Sequence, residues 1–291
     1  MKNSFGVIDI GSNSVRMVIY DLMQSPPVQI FNEKVFCALG RDLAATGKLN
    51  PEGAEAALGG LRDYARIAQE HALDRLDVVG TAALRDASDA PEFIARVAAE
   101  TGLSIRLISG DEEARYAALG VLSLDPAANG IVADFGGGSL EFAWIANGKV
   151  GETISQPYGA FRVLSMKDEA EDILAKGLQQ MSTGYGKAPA LYSIGGSWRA
   201  LAQAYMLEAG HETELQGYEI AGADIIPFCE KIAVLTADDV RTLYKIDDKR
   251  AVLAPVSAFV LKQVMTILGP RKMVVSMAGI RDGIVYDFNN R

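Results

Sequence analysis

The feature that most limits what this chain can fold into is a short pattern that it carries twice. Residues 131 to 145 read Ile-Val-Ala-Asp-Phe-Gly-Gly-Gly-Ser-Leu-Glu-Phe-Ala-Trp-Ile, an apolar strand that ends on an acid, runs into three glycines and resumes as a strand. The N-terminus repeats the plan with Val7-Ile8-Asp9-Ile10-Gly11-Ser12-Asn13-Ser14 and then the apolar run Val15 to Tyr20. A shift of 125 places superimposes Asp9 on Asp134, Gly11 on Gly136 and Ser14 on Ser139. A turn repeated by accident need not keep its acid, glycine and serine in register. The economical reading is two similar halves, each opening on a hairpin, facing one another across a cleft.

The composition of the turn points to phosphate. Without Cβ atoms, Gly136, Gly137 and Gly138 can turn tightly and aim N–H groups at an anion, while Asp134 at the strand end can hold a divalent cation against it. Ser139 adds a hydroxyl, and Glu141, seven residues after Asp134, brings a second carboxylate to the same mouth. For one such stretch the plainer alternative is a Gly-rich hairpin with incidental acids. The matched copy, with Asp9 and with Gly11, Ser12, Asn13 and Ser14 as its turn, weighs against that alternative. A third turn, Gly195-Gly196-Ser197, follows the buried strand Leu191 to Ile194 at a strand-to-helix junction. Alone, a Gly-Gly pair is as readily a close-packing device as a ligand site, and Trp198 beside it reads as core.

Composition sets the outer bounds. At 291 residues and 49% hydrophobic, the chain can bury one large core or two of moderate size, and the internal echo favours two, divided at the Pro/Asn/Gly-marked connection 125–130 into halves 1–124 and 125–291. No apolar run approaches the ~20 residues that span a bilayer, and the N-terminus enters a strand without a signal-peptide shape, so a soluble, cytoplasmic protein is expected. Cys37 and Cys229, in different halves and in apolar settings, predict buried reduced thiols rather than a disulfide or zinc site. With His71 and His211 as the sole histidines, histidine clusters and histidine phosphotransfer are disfavoured. The net charge of −9 argues against broad binding to nucleic acid or anionic membrane. A polyanionic ligand would have to meet a local group of Arg, Lys and backbone N–H.

Along the chain, Val28 to Leu39 reads as a third strand interrupted by Asn32-Glu33-Lys34, and 40–48 as loop. Asn50 caps a helix with Pro51 in its first turn and the stripe Ala54, Ala57, Leu58, Leu61, Tyr64, Ala65, Ala68. Leu76 to Gly80 is a short strand that delivers 81–86 to the sheet edge. Ser88 or Asp89 caps a helix ended by Gly102, and Ile105 to Ile108 is the next strand. In Ser109-Gly110-Asp111-Glu112-Glu113-Ala114-Arg115, Ser109 or Asp111 caps a helix, and one of Glu112 and Glu113 serves only that cap. The helix starts at the carboxyl end of a buried strand, where ligands of open α/β sheets bind and an acid can orient water. In the second half, Val150 to Tyr158 is a strand and Gly159 to Leu164, Glu169 to Met181 and the stretch through Met206 are helical. Residues 208–222 read as loop. Helices follow over Ala223 to Leu235, after the Thr236/Asp239 cap, and over the stripe Leu253 to Ile267; Met273 to Ser276 is a last strand, and a terminal helix over 280–291 is expected to pack back onto the first half.

Two acid-glycine-serine hairpins and a late Gly-Gly turn resemble the duplicated fold of actin, hexokinase and the seventy-kilodalton heat-shock ATPases. More specifically, Asp9 to Ser14, Thr81 to Ala87 with Arg85, Ser109 to Arg115, Asp134 to Glu141 and Ser193-Ile194-Gly195-Gly196 resemble, in order and over nearly the whole chain, the exopolyphosphatase and guanosine pentaphosphate phosphatase family. The resemblance implies an α/β fold of two ribonuclease H-like (actin-like ATPase) domains with a cleft between them, and a metal-dependent phosphoanhydride hydrolase. By the same resemblance Glu113 is the water-activating base, Asp134 and Glu141 are catalytic or metal-binding acids with Asp9 opposite, and Arg85 holds substrate phosphate. Mg²⁺, K⁺ as an activator, and a homodimer also follow from it. Two departures stand out. The chain ends soon after Asp282-Gly283, where longer members continue into a helical HD-type domain, and the turn reads Asp-Phe-Gly where Asp-Ile-Gly or Asp-Leu-Gly is commoner, a change expected to be absorbed by the core.

The expected reaction is removal of the terminal phosphate of inorganic polyphosphate. The alternative is guanosine pentaphosphate, which the same site would serve with a base pocket added. A kinase for a small acceptor follows from the broader fold, against which stands an acid placed for water. A non-catalytic sensor of phosphorylated ligands is the remaining reading, against which stands the presence of every named acid.

Overall fold

The computed structural model describes residues 4–185 and 188–290, so residue 291, the end of the expected terminal helix, lies outside the described residues. Among the described residues, eleven strands build two sheets. The first holds β1 (Ser4–Ile10), β2 (Ser14–Asp21), β3 (Val28–Phe36), β4 (Arg75–Gly80) and β5 (Arg106–Leu107) in the order β3-β2-β1-β4-β5. The second holds β6 (Gly130–Phe135), β7 (Leu140–Ala146), β8 (Lys149–Gln156), β9 (Leu191–Ile194), β10 (Glu219–Ala221) and β11 (Lys272–Val275) in the order β10-β11-β9-β6-β7-β8. In each, a three-stranded antiparallel meander is followed by parallel strands, β4 and β5 beside β1 and β9 and β11 beside β6. The sequence echo is therefore a repeat of topology, with β10 added antiparallel at one edge.

Among the described residues, thirteen α-helices connect and cover the strands: α1 (Leu43–Thr46), α2 (Pro51–Glu70), α3 (Ala82–Asp86), α4 (Ala90–Thr101), α5 (Gly110–Leu124), α6 (Ala160–Met166), α7 (Ala170–Tyr185), α8 (Gly196–Ala209), α9 (Gly222–Ala233), α10 (Ala237–Tyr244), α11 (Asp248–Ala251), α12 (Ala254–Leu268) and α13 (Ile280–Asn289). Their ends follow from local chemistry. The Asn50 side chain accepts from Gly53 N at 2.7 Å to start α2, and Ser109 with Glu112 forms a reciprocal capping box that starts α5. Glu112 is thus the capping acid of the pair, which leaves Glu113 available. Gly102 and Gly269 end α4 and α12 in the left-handed conformation. No helix among the described residues is long and apolar enough to cross a membrane.

Because successive strand side chains alternate between faces, each sheet sorts its residues into two cores. Ile8, Ile10, Met17 and Ile19 face outward against Leu58, Leu61 and Tyr64 of α2 and Phe93 and Val97 of α4. On the second sheet Ala133, Phe135, Leu140 and Phe142 do the same against the helices of the second half, among them Trp198 of α8 and Val260 of α12. The opposite faces meet in the middle: Phe5, Val7 and Val18 from the first sheet and Val132, Ala143, Ile145 and Ile194 from the second share one cluster with α5 and α13. By the same alternation Asp9, Asp134, Glu141, Arg16 and Lys34 are turned toward the space between the sheets.

Two helices fill the floor of that space. α5, from the first half of the sequence, packs on β6, β7 and β8, while α13, from the end of the chain, packs on α5 and β1. They cross closely at Gly283, where a Cβ would fall 1.8 Å from the Tyr116 carbonyl oxygen. By packing, α5 sides with the second sheet although it precedes the 124/125 junction.

Several local expectations need correction. β3 runs unbroken through Asn32-Glu33-Lys34, because Asn32 accepts from Arg16 and Lys34 faces the cleft, so these polar residues have places within the strand. It stops at Phe36 rather than Leu39. The 40–48 loop contains the single turn α1, and β5 is two residues long. Asp89 does not cap α4 through its side chain but accepts from Leu49 N at 3.0 Å. The 208–222 loop contains β10, too short to show a period. Cys37 and Cys229 are free and buried.

Candidate active site

The two repeated turns have the same internal bond. Gly11 N donates to Ser14 O at 3.0 Å in the first, and Gly136 N donates to Ser139 O at 3.1 Å in the second. They confront each other directly: a Cβ on Gly138 would lie 2.6 Å from Ser12 Oγ and 3.0 Å from Ala82 Cβ. Glycine at 138 is therefore what lets the second turn approach the first. The amino end of α6 backs the second turn, with Ala160 N on Gly136 O and Phe161 N on Gly137 O at 3.0 and 2.9 Å. The turn Gly195-Gly196-Ser197 between β9 and α8 opens into the same space. Phe135, the residue between Asp134 and the glycines, turns away and stacks on buried Trp198 at 5.1 Å, which is how the core absorbs the Asp-Phe-Gly variant.

Four acids line this cleft: Asp9, Glu113, Asp134 and Glu141. Asp134 and Glu141 are opposite each other in the β6/β7 ladder. Glu113, in the first turn of α5, is buried and receives the Arg85 guanidinium at 2.8 Å; the same Nη1 donates to Ile108 O at 2.9 Å. Glu141, also buried, accepts from Ser155 Oγ at 2.9 Å and from the Ser139 hydroxyl. Burial pushes both glutamates up from the ordinary carboxylate range, and their mutual repulsion adds to the rise at Glu141. The Arg85 guanidinium opposes the rise at Glu113. Asp134 is pushed up to about 6, first by burial and then by the charge of Asp9, against the pull of Arg199 and Arg281.

A model of the Ppx/GppA phosphatase family matches residues 5–291. The chain belongs to the Ppx/GppA phosphatase family. Exopolyphosphatase 1 of Mycobacterium tuberculosis is 29% identical over 161 residues, which cover 54% of this chain and 47% of that protein, so the match spans just under half of that relative's length. Exopolyphosphatase 2 of the same organism is 26% identical over 309 residues, covering 95% of this chain and 96% of that protein. A crystal structure of an exopolyphosphatase from Cytophaga hutchinsonii superimposes with a TM-score of 0.88 at 22% identity, over 99% of this chain and 98% of that one, and has the same two-domain fold of the actin-like ATPase type.

In this Ppx/GppA protein the three turns and the four acids all border one cleft. Arg85 does not: it stands behind Glu113 and is not among the described residues that line the space. The cations that do line it are Arg16, Lys34, Arg199, Arg250 and Arg281. None of these five has a role assigned from the sequence, where Lys34 reads only as part of a polar interruption of β3. Arg16 carried a signal, since it lies two residues beyond Ser14 on the same face of β2. Lys34 is pushed down to about 8, chiefly by burial and then by Arg250, Arg16, Arg281 and Arg199, which marks a wall of like charge prepared for an anion. Its ammonium sits 4.1 Å from the centroid of Phe36, and that of Lys249 lies 4.8 Å from the same ring.

The acids also bear on a metal. Among the described residues no three acids, histidines or cysteines are gathered closely enough to hold an ion by themselves. Mg²⁺ does not require such a cage, because it keeps several waters and is held by one or two carboxylates together with substrate phosphates. Asp134 fits that use: it faces the cleft, and its carboxylate makes no hydrogen bond or ion pair among the described residues. Asp9 is paired with Arg281 at 2.6 Å, and Glu141 is occupied by two serines.

Proposed function

We propose that this protein is an exopolyphosphatase that hydrolyses the terminal phosphoanhydride of inorganic polyphosphate and releases orthophosphate. The observation that carries the reading is the meeting of the two turns at Gly138 and Ser12, with buried Glu113 on the same cleft, because it sets two groups of N–H donors and one basic carboxylate around a single anion. Phosphoryl transfer asks little covalent work of a protein; it needs a nucleophile in line and charge neutralised on the phosphate oxygens. The turns and Ser139 grip the terminal phosphate. Glu113, oriented by Arg85, takes a proton from water as the water oxygen bonds to phosphorus, and the bridging P–O bond breaks toward the shortened chain. Burial that raises the basicity of Glu113 suits it to this step near neutral pH. When bound, Mg²⁺ at Asp134 would supply further neutralisation of the phosphate oxygens.

The remainder of the chain anion falls to Arg16, Lys34, Arg199 and Arg250. The alternative substrate, guanosine pentaphosphate, needs a surface for its purine. Phe36 lines the cleft, but its ring carries the Lys34 and Lys249 ammoniums, an arrangement that suits a chain of phosphates better than a base. The test is phosphate release from polyphosphates of graded length, from guanosine pentaphosphate and from ATP with sugar acceptors, each with and without Mg²⁺. Release from chain ends that depends on Mg²⁺ is expected. A preference for guanosine pentaphosphate, or loss of ATP phosphate only with an acceptor, overturns the reading.

The cation wall gives a pH dependence. Lys34 is charged below about 8 and neutral above it. Losing one charged contact to phosphate costs on the order of 1.5–3 kcal/mol, so the advantage of the parent over Lys34→Gln in kcat/KM for polyphosphate, which reports the free enzyme's groups, is expected to shrink about tenfold as pH rises through 8. Taking that ratio cancels the opposite limb from Glu113, which burial pushes up to about 8 and which must be ionised to act. A ratio that stays constant across pH 8 assigns the transition elsewhere.

A further inference from the structure

Asp9 and Asp134 are equivalent under the internal repeat, but their surroundings differ. Each stands at the end of the first strand of its sheet and points between the sheets, yet Asp134 has no ion-pair partner among the described residues, whereas Asp9 Oδ2 accepts from Arg281 Nη1 at 2.6 Å. Only 15% of either side chain in that pair is exposed. Arg281 is not a rim residue that happens to reach inward. It lies in the first turn of α13, and its neighbour Asp282 ties that turn to the first sheet: Asp282 Oδ1 accepts from Tyr20 OH at 2.9 Å and from Gln29 Nε2 at 3.1 Å, while Oδ2 accepts from Gly279 N at 2.8 Å. The guanidinium is thereby delivered to Asp9, near enough for its charge to act on Asp134 as well.

Resting on the phosphatase reading only in taking a divalent cation as a ligand of this cleft, we propose that Arg281 is a built-in counter-ion that competes with the divalent cation for Asp9. Asp134 then receives the ion first, and Asp9 joins only when Arg281 lets go. With the cleft empty of metal, Arg281 keeps two facing carboxylates from repelling each other across the domain junction. With metal and phosphate present, the released guanidinium is positioned to meet phosphate oxygens. Arg281 would set the metal concentration at which the site fills, which makes it a positioning residue for Asp9.

The experiment is Mn²⁺ binding to the full chain without substrate, followed by electron paramagnetic resonance, with polyphosphate hydrolysis measured on the same preparations. Since one charge-assisted pair is removed, Arg281→Gln is expected to bind Mn²⁺ about tenfold more tightly than the parent. Arg281→Lys, which keeps the charge, should stay within about threefold of the parent. Asp9→Asn should also stay within about threefold, because Asp9 is masked, and it should erase the gain from Arg281→Gln in the double variant. Unchanged or weaker binding in Arg281→Gln overturns the proposal, as does a gain that survives Asp9→Asn or the absence of Mn²⁺ binding in every variant. If Arg281→Gln does not fold, Asp9→Asn still decides: a tenfold or greater loss of Mn²⁺ affinity shows that Asp9 ligates already and that no competition exists. Tighter binding in Arg281→Gln without hydrolysis by the parent sinks the exopolyphosphatase reading and leaves the counter-ion standing; hydrolysis with no change in affinity does the reverse.

Discussion

Glu113→Gln is expected to lower kcat for polyphosphate by roughly 10²–10⁴-fold, the usual contribution of a positioned general base, while KM moves by no more than a factor of a few. The substitution keeps the size of the side chain and its place in the first turn of α5, so packing on β6 to β8 is spared. What it removes is basicity at one buried position and the negative charge that holds Arg85 at 2.8 Å. Because Arg85 also bonds to Ile108 O, it stays anchored in the variant, which keeps the lesion local. Steady-state kinetics at saturating Mg²⁺ measures the effect. A raised KM with an unchanged kcat would place Glu113 in substrate binding, and no change in either would remove it from the mechanism. The parent enzyme should lose activity as Glu113 takes up a proton on the acid side, since the base must be ionised to act, and this limb should be absent from the residual activity of the variant.

The parts of the site that could be read from the sequence are those set by local chemistry. The Asp9 and Asp134 hairpins were visible because acid, glycine and serine recur in register, and strand alternation fixed which way the acids point. Glu113 was singled out by the resemblance, and the structure agrees in giving the Ser109 box to Glu112, the acid three residues on, which leaves Glu113 to face the cleft. Arg85 shows the limit: its nearness to substrate followed from resemblance alone, and its guanidinium instead faces a carboxylate contributed by a helix that starts 25 residues later. The cation wall was illegible for the same reason. Lys34, Arg199 and Arg281 come from β3, α8 and α13, and no pattern within any one of them announces that all three face one cleft. β10 was missed because only Ile220 of its three residues is buried, which leaves no alternation to see.

Asp134→Asn should expose a conflict between stability and function at a single atom. Asp134 is pushed up to about 6 by burial and by Asp9, so the folded protein bears its charge reluctantly at neutral pH. A carboxyl whose folded value lies above its unfolded value contributes stability that is fully present below the unfolded value, near 3.8, and is lost as pH rises through the folded value, near 6. In metal-free buffer at pH 7 to 8 the variant is therefore expected to melt at a higher temperature than the parent, and the difference should vanish below about pH 4. Activity should move the other way. At limiting Mg²⁺, kcat/KM is expected to fall roughly 10²–10³-fold, the scale seen when one preorganised electrostatic group is removed, and the loss should be larger than for Asp9→Asn, whose carboxylate already neutralises Arg281. Calorimetric melting across pH, paired with phosphate release over a Mg²⁺ series, separates the two effects. A variant that melts lower at pH 7 without metal denies that the charge is strained in the empty cleft, and one that keeps parental activity at limiting Mg²⁺ denies that this carboxylate is where the cation enters.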